Sequence, residues 1–171
     1  MSIAQLIITS PPLCITIVSS KFSILKTLLP EDEFLLRHVK QQELMLLRLN
    51  KASLKYKRSI QTQVIIQDLK NISMTIDLMA LRLFRRTMES NSAYYPERLK
   101  VIYMINAPYT FTTIWSMVKT WIDPNTAKKI KIIGSNYLEI LKKDIDISEI
   151  PVEYGGTRPN FPWMVPDNME K

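Results

Sequence analysis

The chain has only three glycines, one cysteine and one histidine in 171 residues. With glycine at positions 134, 155 and 156 alone, neither a G-x-G-x-x-G dinucleotide loop nor a phosphate-binding P-loop can be written in this sequence. The single Cys14 excludes an intramolecular disulfide framework and a cysteine-rich zinc site, and it fits a reducing compartment. The single His38 has no serine or cysteine motif to serve, and no paired-carboxylate or H-E-x-x-H pattern stands out. We therefore expect a protein that is not an enzyme and that needs no metal or cofactor.

The charge balance favours anionic partners. Lys and Arg number 23 against 16 Asp and Glu, for a net charge of +7. Such a balance suits an acidic membrane surface or nucleic acid. The basic residues are spread along the chain rather than gathered in one run, so a solvated surface explains them equally well. Nucleic-acid binding would rest on charge alone, and we do not expect it.

The first twenty residues contain no charged side chain, which invites a signal-peptide or membrane-anchor interpretation. The first basic residue is Lys21, after Pro11 and Pro12 have already interrupted the apolar run. A signal peptide has a basic start before its apolar segment, and two prolines make a poor spanning helix. Residues 1–29 are therefore expected to form a strand-like or disordered extension.

From residue 30 onward, helical and strand-like patterns alternate. A helix is predicted to begin after Pro30, where Glu31, Asp32 and Glu33 suit the helix dipole, and the polar stretch 50–59 is expected to be a connection. Later helices are predicted over 73–90 with Ser73 as N-cap, over 110–122, and over 135–144 with Ser135 as cap. Strands are predicted at 62–68, 99–105 and 128–133.

Alternation of this kind is typical of βαβ crossovers. The predicted fold class is α/β, with a mainly parallel β-sheet and covering helices. The domain boundaries are expected at an extension over 1–29, a globular part over 30–157 and a Pro-rich tail over 158–171. The last fifteen residues of the chain contain three prolines, and the tail is expected to be a surface-laid or mobile extension.

Glu97 stands just before one predicted strand, and Lys129 stands at the start of another. If the strands at 99–105 and 128–133 are parallel and joined by the helix at 110–122, these two residues lie at the same edge of the sheet. An exposed ion pair worth well under ~1 kcal/mol is the simplest interpretation of such a pair. A ligand of an open α/β sheet more usually lies at the opposite, carboxyl edge.

Three segments in order resemble a known family: "YYPERLKVIYMINAPYTFTTIW", "DPNTAKKIKIIGSNY" and "IPVEYGGT". They are similar to the later part of the CRAL-TRIO lipid-binding domain, closest to the secretory-type phosphatidylinositol/phosphatidylcholine transfer proteins. The segment "IIQDLKNIS" is similar to a strand and turn of that family. The resemblance runs from about residue 31 to residue 157, and the family's N-terminal helical region has no counterpart in residues 1–30.

The resemblance implies a set of lipid-binding residues. Glu97 and Lys129 match the family's phosphatidylinositol headgroup pair, and Thr126 matches a hydroxyl position beside the same headgroup. An ammonium and a hydroxyl can bind phosphate, and a carboxylate can accept hydrogen bonds from inositol hydroxyls. The helix after Asn-Ala-Pro would close the pocket mouth and face the acyl chains with Phe111, Ile114, Trp115, Val118 and Trp121. The same bulky side chains could instead complete an ordinary core.

Two departures from the family pattern weaken a phosphatidylcholine interpretation. Where the family strand carries small hydroxyl residues that bind the lipid phosphate, this chain has Gln63 and Ile65. An isoleucine side chain cannot donate a hydrogen bond. The family's first strand–helix portion also has no counterpart, and a pocket lined on one side only would expose apolar surface to water. Either the first thirty residues supply a substitute strand, or the chain is a truncated gene product.

The resulting hypothesis is transfer of a phospholipid between membranes by non-covalent exchange, with phosphatidylinositol as the expected lipid. It implies a monomeric, cytoplasmic protein in vesicle trafficking, with transient peripheral contact to acidic Golgi or endosomal membranes. The bound phospholipid is then a ligand rather than a cofactor. The alternative is a degenerate CRAL-TRIO module that docks on membranes or proteins without transferring lipid.

Overall fold

The computed structural model describes residues 5–10, 13–19, 30–70 and 78–159. Five strands form one sheet: β1 Gln5–Ser10, β2 Leu13–Ser19, β3 Gln63–Asp68, β4 Leu99–Ile105 and β5 Ile130–Ile132. Their order across the sheet follows their order in the chain. β1 is antiparallel to β2, whereas β2, β3, β4 and β5 are mutually parallel. The predicted α/β class with a mainly parallel sheet is confirmed.

Five α-helices connect or follow these strands: α1 Glu31–Tyr56, α2 Leu78–Tyr94, α3 Phe111–Val118, α4 Pro124–Lys128 and α5 Leu138–Leu141. A 3-10 turn Lys119–Trp121 extends α3, and two more, Ile147–Glu149 and Val152–Tyr154, follow α5. Parallel neighbours joined through a helix make right-handed crossovers, so α1, α2 and α3 belong to one face of the sheet.

Helix α1 is longer than the sequence predicted. The expected connection over 50–59 was wrong as far as Tyr56, because residues 50–56 continue the helix. Ala52 is buried there and extends the apolar stripe of Met45 and Leu49. The helix ends where Lys57 adopts a left-handed conformation with φ 50°, and its amide donates to the carbonyl of Leu54.

Two further expectations concern strands and caps near the N-terminal half. Residues 5–10 and 13–19 are strands, so for these ranges the strand alternative holds over the disordered one. The proposed N-cap Ser73 lies outside the described residues, and α2 is described from Leu78. His38 lies between helices, where its Nε2 is 2.8 Å from Oδ1 of Asn91 on α2.

One face of the sheet carries a tightly closed core. The register aligns Ile15 with Val64 and Ile66 with Tyr103, so these side chains point to the same face. The chain after β5 covers them with buried apolar side chains from Ile133, Leu141, Ile145, Ile150 and Tyr154. The Tyr103 hydroxyl donates to Asp144, and the Lys131 ammonium lies 3.0 Å from the same carboxylate.

The covering segment differs from the prediction in one helix. The helix expected over 135–144 is a single turn, Leu138–Leu141, and Tyr137 rather than Ser135 stands at its N-cap. The segment then turns at Gly155 and Gly156. A Cβ on Gly156 would lie 1.9 Å from the carbonyl oxygen of Ile150, so only glycine fits there.

The opposite face is covered by helices α2 and α3. Five apolar residues are buried there: Leu69, Met104, Val118, Ile122 and Ile130. Around them lie eleven apolar residues that are only partly buried. We call the sixteen together the helical-side cluster.

Within the four described ranges, no helix is long and apolar enough to cross a membrane. The same residues hold no group of three His, Cys, Asp or Glu side chains placed to bind a metal ion.

Candidate functional site

Glu97 and Lys129 form an ion pair at the amino edge of the parallel strands. β4 and β5 are neighbours, with Ile102 opposite Ile130, which brings the residues before each strand together. The Lys129 Nζ lies 3.0 Å from Oε2 of Glu97. The Glu97 side chain is 86% exposed and that of Lys129 is 29% exposed. The strand geometry thus joins the two predicted headgroup residues, and their contact is open to solvent on the carboxylate side.

The backbone at Glu97 is held in an unusual conformation. Its φ is 57°, in the left-handed region that non-glycine residues seldom adopt. The turn over 95–98 leads from α2 into β4, and the amide of Tyr95 donates to the carbonyl of Asn91 at its start. A residue held in this region costs on the order of 1 kcal/mol or more, and such residues concentrate at functional sites. The fold therefore holds the Glu97 carboxylate at this edge at some cost in stability.

Thr126 lies one helical turn before Lys129, in the short helix α4. Asp123 caps that helix, and its carboxylate accepts hydrogen bonds from the amides of Asn125 and Thr126 at 3.1 and 2.9 Å. The amide of Lys129 donates in turn to the carbonyl of Thr126 at 3.0 Å. Capping thereby fixes the chain from Asp123 to Lys129 as one unit, with Thr126 partly buried within it.

Asp123 is a member of the site that the sequence reasoning did not name. The amide of Thr126, the amide of Asn125 and the hydroxyl of Thr126 hold the pKa of Asp123 below its usual value, and the charge of Lys129 contributes further. Lys129 thus pairs with Glu97 and is close enough to Asp123 for its charge to act on that carboxylate. The Asp123-Pro124 pair, an N-cap followed by proline at the first helical position, was the signal that could have identified it.

A concavity of about 360 Å³ lies next to this edge. It is bounded by the C-terminal half of α1, by the connection 59–61 and by Arg98, the residue that follows Glu97. Polar side chains of Asn50, Ser53 and Gln61 line it together with the Arg98 guanidinium. This concavity could not be predicted from sequence, because it depends on how α1 packs against the start of β4.

The five predicted gate residues all belong to the helical-side cluster. Val118 is buried, whereas Phe111, Ile114, Trp115 and Trp121 are only partly buried. The exposed hydroxyls of Thr112 and Ser116 in α3, and of Thr120 in its 3-10 extension, donate to carbonyls three residues back. The arrangement makes α3 and its 3-10 extension an amphipathic cover over the sheet.

Gln63, which stands where the family pattern has a small hydroxyl residue, is buried and already hydrogen bonded. Gln63 is 6% exposed, and its Oε1 accepts a hydrogen bond of 2.9 Å from the hydroxyl of Thr16, which is also buried. Both lie on the helical side of the sheet, because their neighbours Ile15 and Val64 point to the opposite, closed core. Ile65, the second departure, is partly buried on the same side as Gln63. This strand therefore offers an amide already paired with Thr16, where the resemblance implies free hydroxyls.

Comparison with known families gives one matching domain. The sequence model of the CRAL/TRIO domain matches residues 13–156.

Individual relatives share clear identity but are much longer. A CRAL-TRIO domain-containing protein of Saccharomyces cerevisiae is 41% identical over 98 residues, which cover 57% of this chain and 32% of that protein. The SEC14 cytosolic factor of Kluyveromyces lactis is 34% identical over 139 residues, 81% of this chain and 43% of that factor. The phosphatidylinositol/phosphatidylcholine transfer protein SFH11 of Arabidopsis thaliana is 32% identical over 121 residues, 70% of this chain and 32% of that protein. The chain thus spans less than half the length of these relatives.

A solved structure shares the fold. The crystal structure of Sfh5 superposes with a TM-score of 0.65 at 18% identity, over 78% of this chain and 48% of that one.

Proposed function

The chain belongs to the CRAL/TRIO domain family, and on that premise we propose that it binds a phospholipid and exchanges it non-covalently with membranes. The phospholipid we propose is phosphatidylinositol. The helical-side cluster holds the acyl chains, and the edge formed by Glu97, Thr126 and Lys129 holds the headgroup. No covalent step is involved.

The observation that carries this proposal is the contrast between the two faces of the sheet. On the closed face, Tyr103, Ile105, Leu141 and Ile150 are 0% exposed, as expected of a completed core. On the helical side, eleven of the sixteen apolar residues in the cluster are only partly buried. Apolar surface left accessible under a helical cover suits acyl chains, whose removal from water supplies about 25 cal/mol per Å².

A lipid headgroup can separate Glu97 from Lys129 and bind both side chains. An exposed pair is worth about 0–1 kcal/mol, so phosphate can displace the Glu97 carboxylate from Lys129 at little cost. The Lys129 ammonium would then bind the phosphate, and the carboxylate would accept hydrogen bonds from inositol hydroxyls. The Thr126 hydroxyl would turn from Asp123 toward the same phosphate.

The Gln63–Thr16 pair supports an inositol lipid over a choline lipid. Because Oε1 of Gln63 already accepts from Thr16, this strand offers a choline-lipid phosphate fewer donors than free hydroxyls would. Ile65 offers no donor at all. The headgroup contacts are therefore concentrated at Glu97 and Lys129.

We further propose that α3 moves to admit the lipid. It is a helix of eight residues whose N-cap side chain makes no capping hydrogen bond. Short helices without caps have little stability of their own and depend on packing. Contact with a bilayer would offer its apolar side chains an alternative to the sheet, which allows opening during transient peripheral binding by a cytoplasmic protein.

The test compares two neighbouring lysines. Lys129→Ala is expected to reduce transfer of phosphatidylinositol between vesicles about 10-fold or more, because a hydrogen bond to a charged group contributes about 1.5–3 kcal/mol. Lys128→Ala changes the net charge equally at the exposed last residue of α4, directly before Lys129, and is expected to transfer normally. Equal transfer by the two variants would refute the headgroup assignment.

A second candidate function is membrane docking without lipid transfer. It is favoured by the paired Gln63 amide and by Ile65, which remove family-type ligand groups from the strand. A folded protein that carries no lipid after purification, yet sediments with acidic vesicles, would support docking and contradict transfer.

A further inference from the structure

The outward face of α1 combines exposed leucines with basic side chains. Leu36, Leu47 and Leu54 fall within about 20° of one another around the helix axis at 100° per residue, and Leu44 lies beside them. All four are exposed, Leu47 by 57% and Leu54 by 80%. The opposite side of the same helix is the buried stripe around Met45 and Leu49. α1 therefore has two apolar faces, and protein covers only one of them among the described residues.

The first turn of α1 carries three acids, Glu31, Asp32 and Glu33, but from Arg37 onward the charge is strongly one-sided. Residues 37–58 contain one acidic residue, Glu43, and a net charge of +6 from seven basic residues: Arg37, Lys40, Arg48, Lys51, Lys55, Lys57 and Arg58. Oε1 of Glu43 is already hydrogen bonded to the hydroxyl of Tyr95 at 2.6 Å. Lys40 and Lys51 fall within about 60° of the leucine line at 100° per residue. Arg37 and Lys51 lie on the same side of the leucine line as Leu44, whereas Glu43 and Asp32 lie on or beyond its other side at 100° per residue. The exposed face is therefore apolar with a basic margin on one side only.

The position of α1 suits contact with a flat partner. It spans 26 residues, or about 39 Å at 1.5 Å per residue. It packs beside α2, through the pairs Arg86–Glu31 and His38–Asn91, and hence in the same layer as α3. The segment after β5 covers the other side of the sheet. α1 therefore lies on the side of the sheet that this segment does not cover.

We propose that the outward face of α1 is a docking surface for a bilayer rich in anionic phospholipid. Leucines would enter the boundary between headgroups and acyl chains, while lysines and arginines bind the lipid phosphates and carboxylates. A second copy of this chain is the weaker occupant, because two such faces would bring charges of the same sign together. Binding to the bilayer does not depend on the proposed function. Only the role of this binding does, which is to hold the membrane while α3 opens.

The experiment is sedimentation of the full chain with vesicles of phosphatidylcholine, with and without phosphatidylserine. Wild type is expected to bind the vesicles that contain phosphatidylserine more tightly, and added salt is expected to weaken the binding. Lys40→Gln with Lys51→Gln is expected to lower that affinity about 25-fold, or about fivefold per lysine. Leu47→Gln with Leu54→Gln is expected to lower it at least 10-fold without loss of folding, since both side chains are already exposed.

Matched controls lie on the opposite side of the sheet. Ile147 and Val152 are exposed apolar residues of the segment after β5, and Ile147→Gln with Val152→Gln should bind as wild type. If the α1 variants also bind as wild type, the inference is wrong. It is also wrong if light scattering shows a dimer that the leucine variants convert to a monomer.

The two proposals fail in different ways. Vesicle binding that depends on α1, in a protein that transfers no lipid, upholds the docking surface and contradicts the proposed transfer. Normal transfer and normal vesicle binding by the α1 variants contradict the docking surface alone.

Discussion

Ile114 and Ile105 provide matched substitutions that distinguish a lipid-filled space from an ordinary core. Ile105 is fully buried in the closed face, whereas Ile114 is partly buried in the helical-side cluster. Ile105→Ala is expected to cost about 3 kcal/mol in the free energy of unfolding, as for a deleted core side chain. Ile114→Ala in delipidated protein is expected to cost about 1 kcal/mol, because its side chain is already partly in water and Ala favours helix.

Bound lipid should change the two costs differently. The Ala substitution removes about three carbons at about 0.8 kcal/mol each, so Ile114→Ala should cost up to ~2 kcal/mol more when an acyl chain covers that position. Lipid bound to the folded state adds its binding free energy to the free energy of unfolding. A substitution that weakens lipid binding therefore lowers the stability of the loaded protein further. The cost of Ile105→Ala should be the same in both forms.

The assay is urea unfolding of delipidated and phosphatidylinositol-loaded protein, with unchanged slopes required for the comparison. If the Ala variant at Ile105 does not fold, Ile105→Val, expected to cost about 1 kcal/mol, replaces it. A cost for Ile114→Ala that equals that of Ile105→Ala, and that does not depend on lipid, would show a filled core and refute the reasoning.

Two further predictions concern stability alone. Gly156→Ala should destabilise the protein by about 3 kcal/mol in urea unfolding, because the backbone must move to admit the Cβ. Gly134 has open space around it, so Gly134→Ala should change stability by less than about 0.5 kcal/mol. Similar values for the two variants would contradict the packing around Gly156. Burial lowers the pKa of His38 from its usual value of 6.5, although the hydrogen bond with Asn91 opposes this. A lowered pKa means that the folded state resists protonation, so stability should be full above pH 6.5 and fall as the pH drops through the window between 6.5 and the lower folded pKa. His38→Gln should remove that part of the pH dependence, and an unchanged profile in thermal unfolding would contradict it.

The strands, and which residues lie at the same edge of the sheet, could be predicted from the sequence. β3 and β4 are short runs of β-branched and apolar residues that a buried parallel strand requires. Once both strands around α3 were assumed parallel, Glu97 and Lys129 had to lie at one edge. The expected ion pair between them is present, but the left-handed φ of Glu97 could not be predicted, because no glycine marks that turn.

Features that depend on tertiary packing could not be predicted from the sequence. The polar composition of residues 50–56 indicated a loop, but burial of Ala52 continues the helix. The Thr16–Gln63 hydrogen bond joins residues 47 positions apart and exists only because β2 pairs with β3. Ser135 was a plausible cap by residue type, yet the helix forms one turn later, where Leu141 can enter the core.

The central claim is that the chain holds a phospholipid between its sheet and α3. Native mass spectrometry of the purified chain, with identification of the lipid released from the same sample, tests this most directly. We predict one phosphatidylinositol per folded monomer, retained by Lys128→Ala and lost or reduced in Lys129→Ala. A folded monomer that carries no lipid, and takes up none from vesicles, would contradict the claim.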